Sequence, residues 1–501
     1  MSAQGSARTK ASNRPLTVVL CLSGIVVALQ HTLVVPLLQE FPTILGVDYA
    51  SVTWLVTVTL LTASIATPIL SRLADMFGKR LMMLVSLAAV VVGSLVAAIG
   101  GTFLTVLIGR GLQGLASALV PIAIAIMRDE LPAREVAGAT AVMSATLGIG
   151  SALGLPLPGI LYAHVGWQAI FLMSAVAGAV LFVAMLVVVP ESPARTRGRF
   201  DIVGAVLLSS ALVGLLLAIS KGGSWGWTDP RTVIAAAAGI VMLAAWVPVE
   251  LRVGQPLVDL RTSGRRPVLL TNIAGLLVGV SMYANMLTTT QQLTMTTDSG
   301  YGLGLSVLAA GLCLVPAGLM MLVFSPVAAL MIRRFGAGST LVIGALILAV
   351  AYGARVLLNE SVLLIAAGAA VVMVGTTIAY AAMPILIMGA VPISETASSN
   401  GLNALSRAIG TAISSALISA LLTTVTFEVM GRELPTLGAF QLVYAVAGSA
   451  ALATAVVAAF LPRRVAAGTV CDDAREDSAG NGPDSLSVDP RARGGIVTPA
   501  R

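Results

Sequence analysis

Residues 71–80 read SRLADMFGKR. An acid, a glycine and a basic pair break into two long apolar runs, at a spacing that topology alone does not require. Asp75 can accept hydrogen bonds or form an ion pair, Gly78 can take a tight turn, and Lys79 and Arg80 can pair with Asp75. Placed just before an apolar helix, Asp75 also stands where exposed N–H groups and the helix dipole favour an anion. Other chemistry-bearing residues sit inside the apolar runs. Arg110 and Arg407 are the charges placed well within such runs, and a charge in that setting marks function by default. His31 is the side chain within a run whose ordinary pKa lies near neutrality. Gln30 precedes it, and Glu40 closes the same run. Together with Arg110 these form the candidates for handling a proton. Gln113, Asn272, Tyr283, Asn285, Tyr380 and Arg407 are candidates for lining a cavity.

The elements that must position these groups follow from composition. Of 501 residues 57% are hydrophobic and 10% charged, against about 25% charged in a soluble domain. Lipid is the solvent that suits such a chain. Fourteen stretches are long and apolar enough to cross a bilayer: 16–38, 51–71, 81–100, 102–127, 137–163, 167–190, 202–220, 232–250, 267–290, 304–331, 338–358, 361–388, 398–425 and 438–461. The first follows Arg8, Lys10 and Arg14 but is too long for a signal h-region and has no small-residue cleavage site after it. With both ends cytoplasmic, most of the 29 Lys and Arg residues fall in cytoplasmic loops and tails, as the positive-inside rule requires. Residues 468–501 are too polar to bury a core and are expected to be disordered.

Several function classes drop out. The net charge of +7 does not cluster on one face or among aromatics, so nucleic acid is not an expected partner. Cys21, Cys313 and Cys471 are far apart and match neither a metal site nor a disulfide framework. No Walker A sequence is present. His31 and His164 are too few and too separated for a zinc site or a catalytic triad. Neither enzyme activity, a metal nor a cofactor is expected.

An internal repeat sets the architecture. PILSRLADMFG (68–78) and PVAALMIRRFG (326–336) place Pro and Phe-Gly at the same spacing after an apolar run, 258 residues apart. Two six-span halves, with spans 7 and 8 inserted between them, satisfy that offset. Repeated halves are how secondary transporters build alternating access.

SRLADMFGKR resembles motif A of the major facilitator superfamily, G-x-L-a-D-r-x-G-r-k, through Leu73, Ala74, Asp75, Gly78, Lys79 and Arg80, with Ser71 replacing the usual first glycine and Met76 an arginine. LIGRGLQG (107–114) resembles motif B through Arg110, Gln113 and Gly114. GSALGLPLPG (150–159) resembles antiporter motif C through Gly150, Gly154 and Gly159, with its prolines moved to Pro156 and Pro158. NALSRAIGTAIS (403–414) resembles a span-13 segment common in fourteen-span drug:proton antiporters. The resemblance covers about residues 16–462.

It implies an all-α membrane protein with the major facilitator fold: fourteen transmembrane helices as two six-helix bundles plus two inserted helices. The expected layout is a cytoplasmic tail at 1–15, an N-terminal bundle at 16–190, the inserted spans and their flanking loops at 191–266, a C-terminal bundle at 267–462 and a disordered cytoplasmic tail at 463–501. It also implies a multi-pass protein of the cell inner membrane, monomeric, that exports drugs or other small amphipathic compounds against protons by alternating access. Motif A would latch the two bundles in the outward-facing state, and motif C would serve a hinge or a bundle interface. The second repeat carries Arg333 and Arg334 where the first has Asp75 and Met76, so an equivalent acid latch is not expected there. Related antiporters usually carry an acid in span 1, where this chain reads LQHTLVVPLL (29–38). Coupling then falls to His31 or to Glu40, or differs from the family norm. The rival readings are a transporter for one specific metabolite and a membrane sensor that has lost coupling.

Overall fold

A computed structural model describes residues 14–38, 40–154, 156–192, 195–196, 198–429 and 432–462. The expected 463–501 tail and all of the N-terminal tail but Arg14 and Pro15 lie outside these residues. The described chain holds fourteen helices long and apolar enough to span a membrane. We number them α1 Arg14–Thr32, α2 Trp54–Phe77, α3 Lys79–Gly100, α4 Phe103–Glu130, α5 Ala133–Leu153, α6 Gln168–Val188, α7 Ile202–Trp225, α8 Pro230–Arg252, α9 Arg266–Thr294, α10 Val307–Phe335, α11 Ala337–Leu357, α12 Val362–Met388, α13 Thr396–Thr424 and α14 Leu437–Ala459. Helices suit lipid because they satisfy backbone polar groups internally. Polar caps mark their starts: Asp201, Asp229, Ser306, Ser361 and Thr436 each accept a backbone N–H from the first turn, as N-cap side chains do.

Two apolar runs are interrupted. In α4 a 3-10 segment, Gly114–Ala118, separates Phe103–Gln113 from Leu119–Glu130. The fifth run stops at Gly154 and resumes as Pro156–His164, because a proline at that point removes the N–H that would continue the ladder. The first run is shorter than expected. Its helix stops at Thr32, and Val35–Leu37 forms a 3-10 turn.

Helices α1–α6 share two clusters of apolar side chains, and α9–α14 share another, built around residues such as Tyr352, Tyr380 and Tyr444. The inserted helices α7 and α8 form a hairpin that crosses closely at Gly214 and Gly239: a Cβ on Gly214 would lie 2.7 Å from the Gly239 amide nitrogen. Leu208, Leu212 and Leu216 of α7 pack with Leu61 and Ile69 of α2 and with Leu402, Leu405 and Ile409 of α13. The hairpin therefore lies along the α2–α13 seam between the bundles. α8 is the least buried of the spans, about 17% against 67% for α1, which puts it outermost.

One element departs from an all-helical reading. β1 Thr426–Val429 and β2 Arg432–Pro435 form an antiparallel hairpin, with Phe427 opposite Leu434, between α13 and α14. Tyr301 donates its hydroxyl to the Pro435 carbonyl and ties the hairpin to the α9–α10 loop. Partial burial pushes the Tyr301 phenol up to about 12.

Candidate functional site

The α2–α3 turn is the centre of an interface between the halves. Gly78 joins the two helices at φ +129°, a backbone conformation that disfavours other residues. Gly336 joins α10 and α11 at φ +84°, so the repeat read in the sequence recurs in the backbone. Asp75, in the last turn of α2, has no exposed surface. Its Oδ1 accepts the backbone N–H of Ala397 at 3.2 Å and its Oδ2 that of Ser398 at 2.8 Å. These are first-turn N–H groups of α13, which have no partner within their own helix. The expectation that Asp75 serves the dipole of the third span is thereby corrected: the helix end it caps belongs to the opposite bundle.

Its expected partners are corrected too. Lys79 forms a buried ion pair with Asp129 at 2.5 Å, and Ser192 donates to the same Asp129 oxygen. Arg80 donates to the carbonyl of Leu186. Both basic residues hold the turn against its own bundle and leave Asp75 to the other one. Arg128 crosses as well, donating to the carbonyls of Val391 and Pro392 at 3.0 and 3.3 Å and to Thr396 Oγ1 at 2.6 Å. Thr196 donates its N–H to the Asp75 carbonyl and its hydroxyl to that of Ser394. These contacts close the end of the molecule that carries the turn. Ser71, the departure from motif A, fits because its neighbour is Gly401: a Cβ there would come within 2.6 Å of Ser71 Oγ. Arg333 and Arg334, by contrast, are exposed.

A closed ring of polar groups lies inside the N-terminal bundle. Arg110 donates to the carbonyls of Leu55 and Gln30 and to Gln113 Oε1. Gln113 donates to Ser94, Ser94 to Ser174, and Gln30 donates to Ser174 from the other side at 2.6 Å. Arg110 and Gln113 have no exposed surface, so Gln113 is a member of this ring and does not line a cavity. Gln30 Oε1 is buried without a hydrogen-bond partner among the described residues. His31, next along α1, is half-buried and sits 3.2 Å from Ser117 Oγ, in the 3-10 interruption of α4. Glu40 is exposed beyond the end of α1 and stands apart from this ring.

The C-terminal bundle holds two further clusters. Arg407 of α13 donates to Asn403 Oδ1 at 2.6 Å, and Asn403 donates to the Thr271 carbonyl and Asn272 Oδ1 on α9. The Arg407 guanidinium carbon lies 5.0 Å from the ring centre of Tyr380 on α12. Asn272, Tyr380 and Arg407 thus come together, while Tyr283 packs with the apolar core of this bundle. Asn285 belongs elsewhere. It accepts from Arg355 at 2.5 Å, and Arg355 also donates to Thr289 and Tyr444 at 2.9 Å. Sequence reasoning missed Arg355, because it stands three residues from the end of an apolar stretch. The signal was an arginine with Asn, Thr, Gln and Tyr side chains on neighbouring spans.

Motif C divides its work. A Cβ on Gly150 would meet Ala28 and Ile25 of α1, and one on Gly154 would meet Thr32. Small residues let these helices approach closely. Gly159 faces open space, and Pro156 starts the segment after the break. The bundle-to-bundle crossing is made by residues other than the matched glycines of the motif. A Cβ on Gly318 of α10 would lie 2.3 Å from Ala152 Cβ and 2.9 Å from the Gly148 carbonyl.

Residues 20–415 match the family description of the Major Facilitator Superfamily. The tetracenomycin C resistance and export protein of Streptomyces glaucescens is 31% identical over 67% of this chain and 62% of its own length. A multidrug resistance protein B homolog of Mycobacterium tuberculosis is 27% identical over 66% of the chain and 61% of its own length. The matches thus span less than two thirds of either relative. The solved structure of the human organic anion transporter MFSD10 (TETRAN) shares the fold at a TM-score of 0.61, covering 90% of this chain and all of that one, at 16% identity. The motifs, the fourteen spans and these likenesses agree, and the chain belongs to the Major Facilitator Superfamily of membrane transporters.

Proposed function

We propose that this protein exports small amphipathic compounds from the cell in exchange for protons, by alternating access in the inner membrane. The observation that carries the reading is the Asp75 carboxylate bound to the α13 N-terminus of the other bundle. Such a contact can be made in one arrangement of the halves and broken in another, which is what a two-state transporter needs. The loop rich in basic residues belongs inside, so the closed end is the cytoplasmic one, both termini are cytoplasmic and the state is outward-facing. The relatives named for tetracenomycin C resistance and export and for multidrug resistance support export of drugs.

His31 is the proposed proton carrier. It is half-buried beside Ser117, adjacent in the chain to Gln30, whose carbonyl holds Arg110. The test uses purified protein in liposomes with an imposed pH gradient and a panel of fluorescent substrates. Wild type should concentrate substrate against the gradient. His31→Ala should abolish pH-driven transport while the protein remains in the membrane. Full pH-driven transport by that variant rejects His31, and no flux of any substrate rejects the transporter reading.

A further inference from the structure

Arg110, Arg355 and Arg407 are arginines of the membrane helices that the structure treats differently. Arg110 makes three hydrogen bonds to neutral acceptors and has no exposed surface. Arg355 also makes three, and is 2% exposed. Both are sealed within their own bundles. Arg407 makes one, to Asn403, and is half-buried. Its remaining N–H groups take no hydrogen bond among the described residues. A guanidinium offers five donors in a fixed fork, and leaving most of them unused at membrane depth is unfavourable unless something else fills them.

The surroundings hold that fork in place. Asn403 is fixed by two acceptors on α9, and Gly275 and Gly279 let α9 lie against α13. A Cβ on Gly279 would come within 2.4 Å of the Arg407 carbonyl. Tyr380 sets an aromatic ring 5.0 Å from the guanidinium. The charge balance is one-sided. The sequence carries no Asp or Glu in the middle of any span, so no fixed anion there answers Arg407 and none is offered to a cationic cargo.

We propose that Arg407 and Tyr380 form the specificity site for an aromatic substrate bearing an ionised acid group, a carboxylate or an acidic phenol. The guanidinium takes the acid through charge-assisted, forked hydrogen bonds, and the buried Tyr380 holds the guanidinium in place from its ring. A lipophilic cation finds no counter-charge there and is disfavoured. The inference rests on the export reading for its purpose, but binding can be measured apart from transport.

The experiment compares fluorescein, an aromatic acid, with ethidium, an aromatic cation. Fluorescence anisotropy measures their binding to the full chain in detergent, and reconstituted liposomes measure their transport. Fluorescein should bind and be carried in preference to ethidium. Arg407→Gln should weaken fluorescein binding by about tenfold to 100-fold, the loss of hydrogen bonds to a charged group, and Arg407→Lys should keep part of it. Size-exclusion chromatography shows that each variant is folded. Arg407-dependent binding of fluorescein without transport of either dye supports the site and overturns the export reading. Transport of ethidium in preference to fluorescein leaves export standing and overturns the site, as does fluorescein binding unchanged in Arg407→Gln.

Discussion

The carboxylate of Asp75 reaches the backbone N–H of Ser398 at 2.8 Å, across 323 residues of sequence. An acid at the end of one helix serves the beginning of another in the opposite half. A negative charge at a partly buried helix N-terminus is worth up to about 2 kcal/mol, or roughly 30-fold in the balance of two conformations. Asp75→Ala should release the closed end by about that factor. A cysteine at Thr196, which bonds to both sides of this contact, should then react faster with a membrane-impermeant maleimide added from the cytoplasmic side. An unchanged labelling rate would deny Asp75 this role.

The ion pair of Lys79 with Asp129 invites a double-mutant cycle. Both side chains are at least 97% buried. Lys79→Met leaves an unpaired buried acid and should destabilise the protein by about 3–5 kcal/mol. Asp129→Asn in the same chain should recover most of that loss. Thermal unfolding in detergent reads both, and additive effects would show that the pair does not couple.

Ser71, where motif A usually has glycine, packs against Gly401. Gly401→Ala forces a methyl to within 2.6 Å of Ser71 Oγ and should hinder closure, lowering transport. Ser71→Gly restores the family residue and opens that space, so the double variant should transport at close to the wild-type rate. Failure of Ser71→Gly to rescue would place the obstruction elsewhere.

Gln30 stands where the resemblance implies a span-1 acid, and its Oε1 is buried without a hydrogen-bond partner among the described residues. A carboxylate there would face the Ser174 hydroxyl in the hydrogen-bonded network that includes Arg110. Gln30→Glu in the His31→Ala background should therefore restore pH-driven transport. Flux measured against internal pH in liposomes decides it, and a pH-insensitive double variant would exclude this position as a coupling site.

Much of this was legible before any coordinates. Fourteen spans were readable because a run of about 20 apolar residues has few other uses. The motif A residues were readable from their spacing, but Asp75's partner was not, because nothing local in α2 points to Ala397 and Ser398. Lys79 looked like a partner for Asp75 by proximity, and burial beside Asp129 won instead. Gln113 and Asn285 looked like cavity residues because apolar runs make any amide conspicuous, yet each was needed as an acceptor for a buried arginine. The hairpin at 426–435 escaped notice because two four-residue strands carry too few positions to show alternation.

The crossing of α5 and α10 at Gly148, Ala152 and Gly318 has a mechanical meaning. Backbones that nearly touch cannot press closer, so this crossing can serve the two halves as a fulcrum. Over half a bilayer, about 15 Å, a tilt of roughly 15° displaces a helix end by about 4 Å. A bulky side chain at Gly318 would act as a wedge under the lever, changing how far each mouth opens while touching nothing that holds cargo.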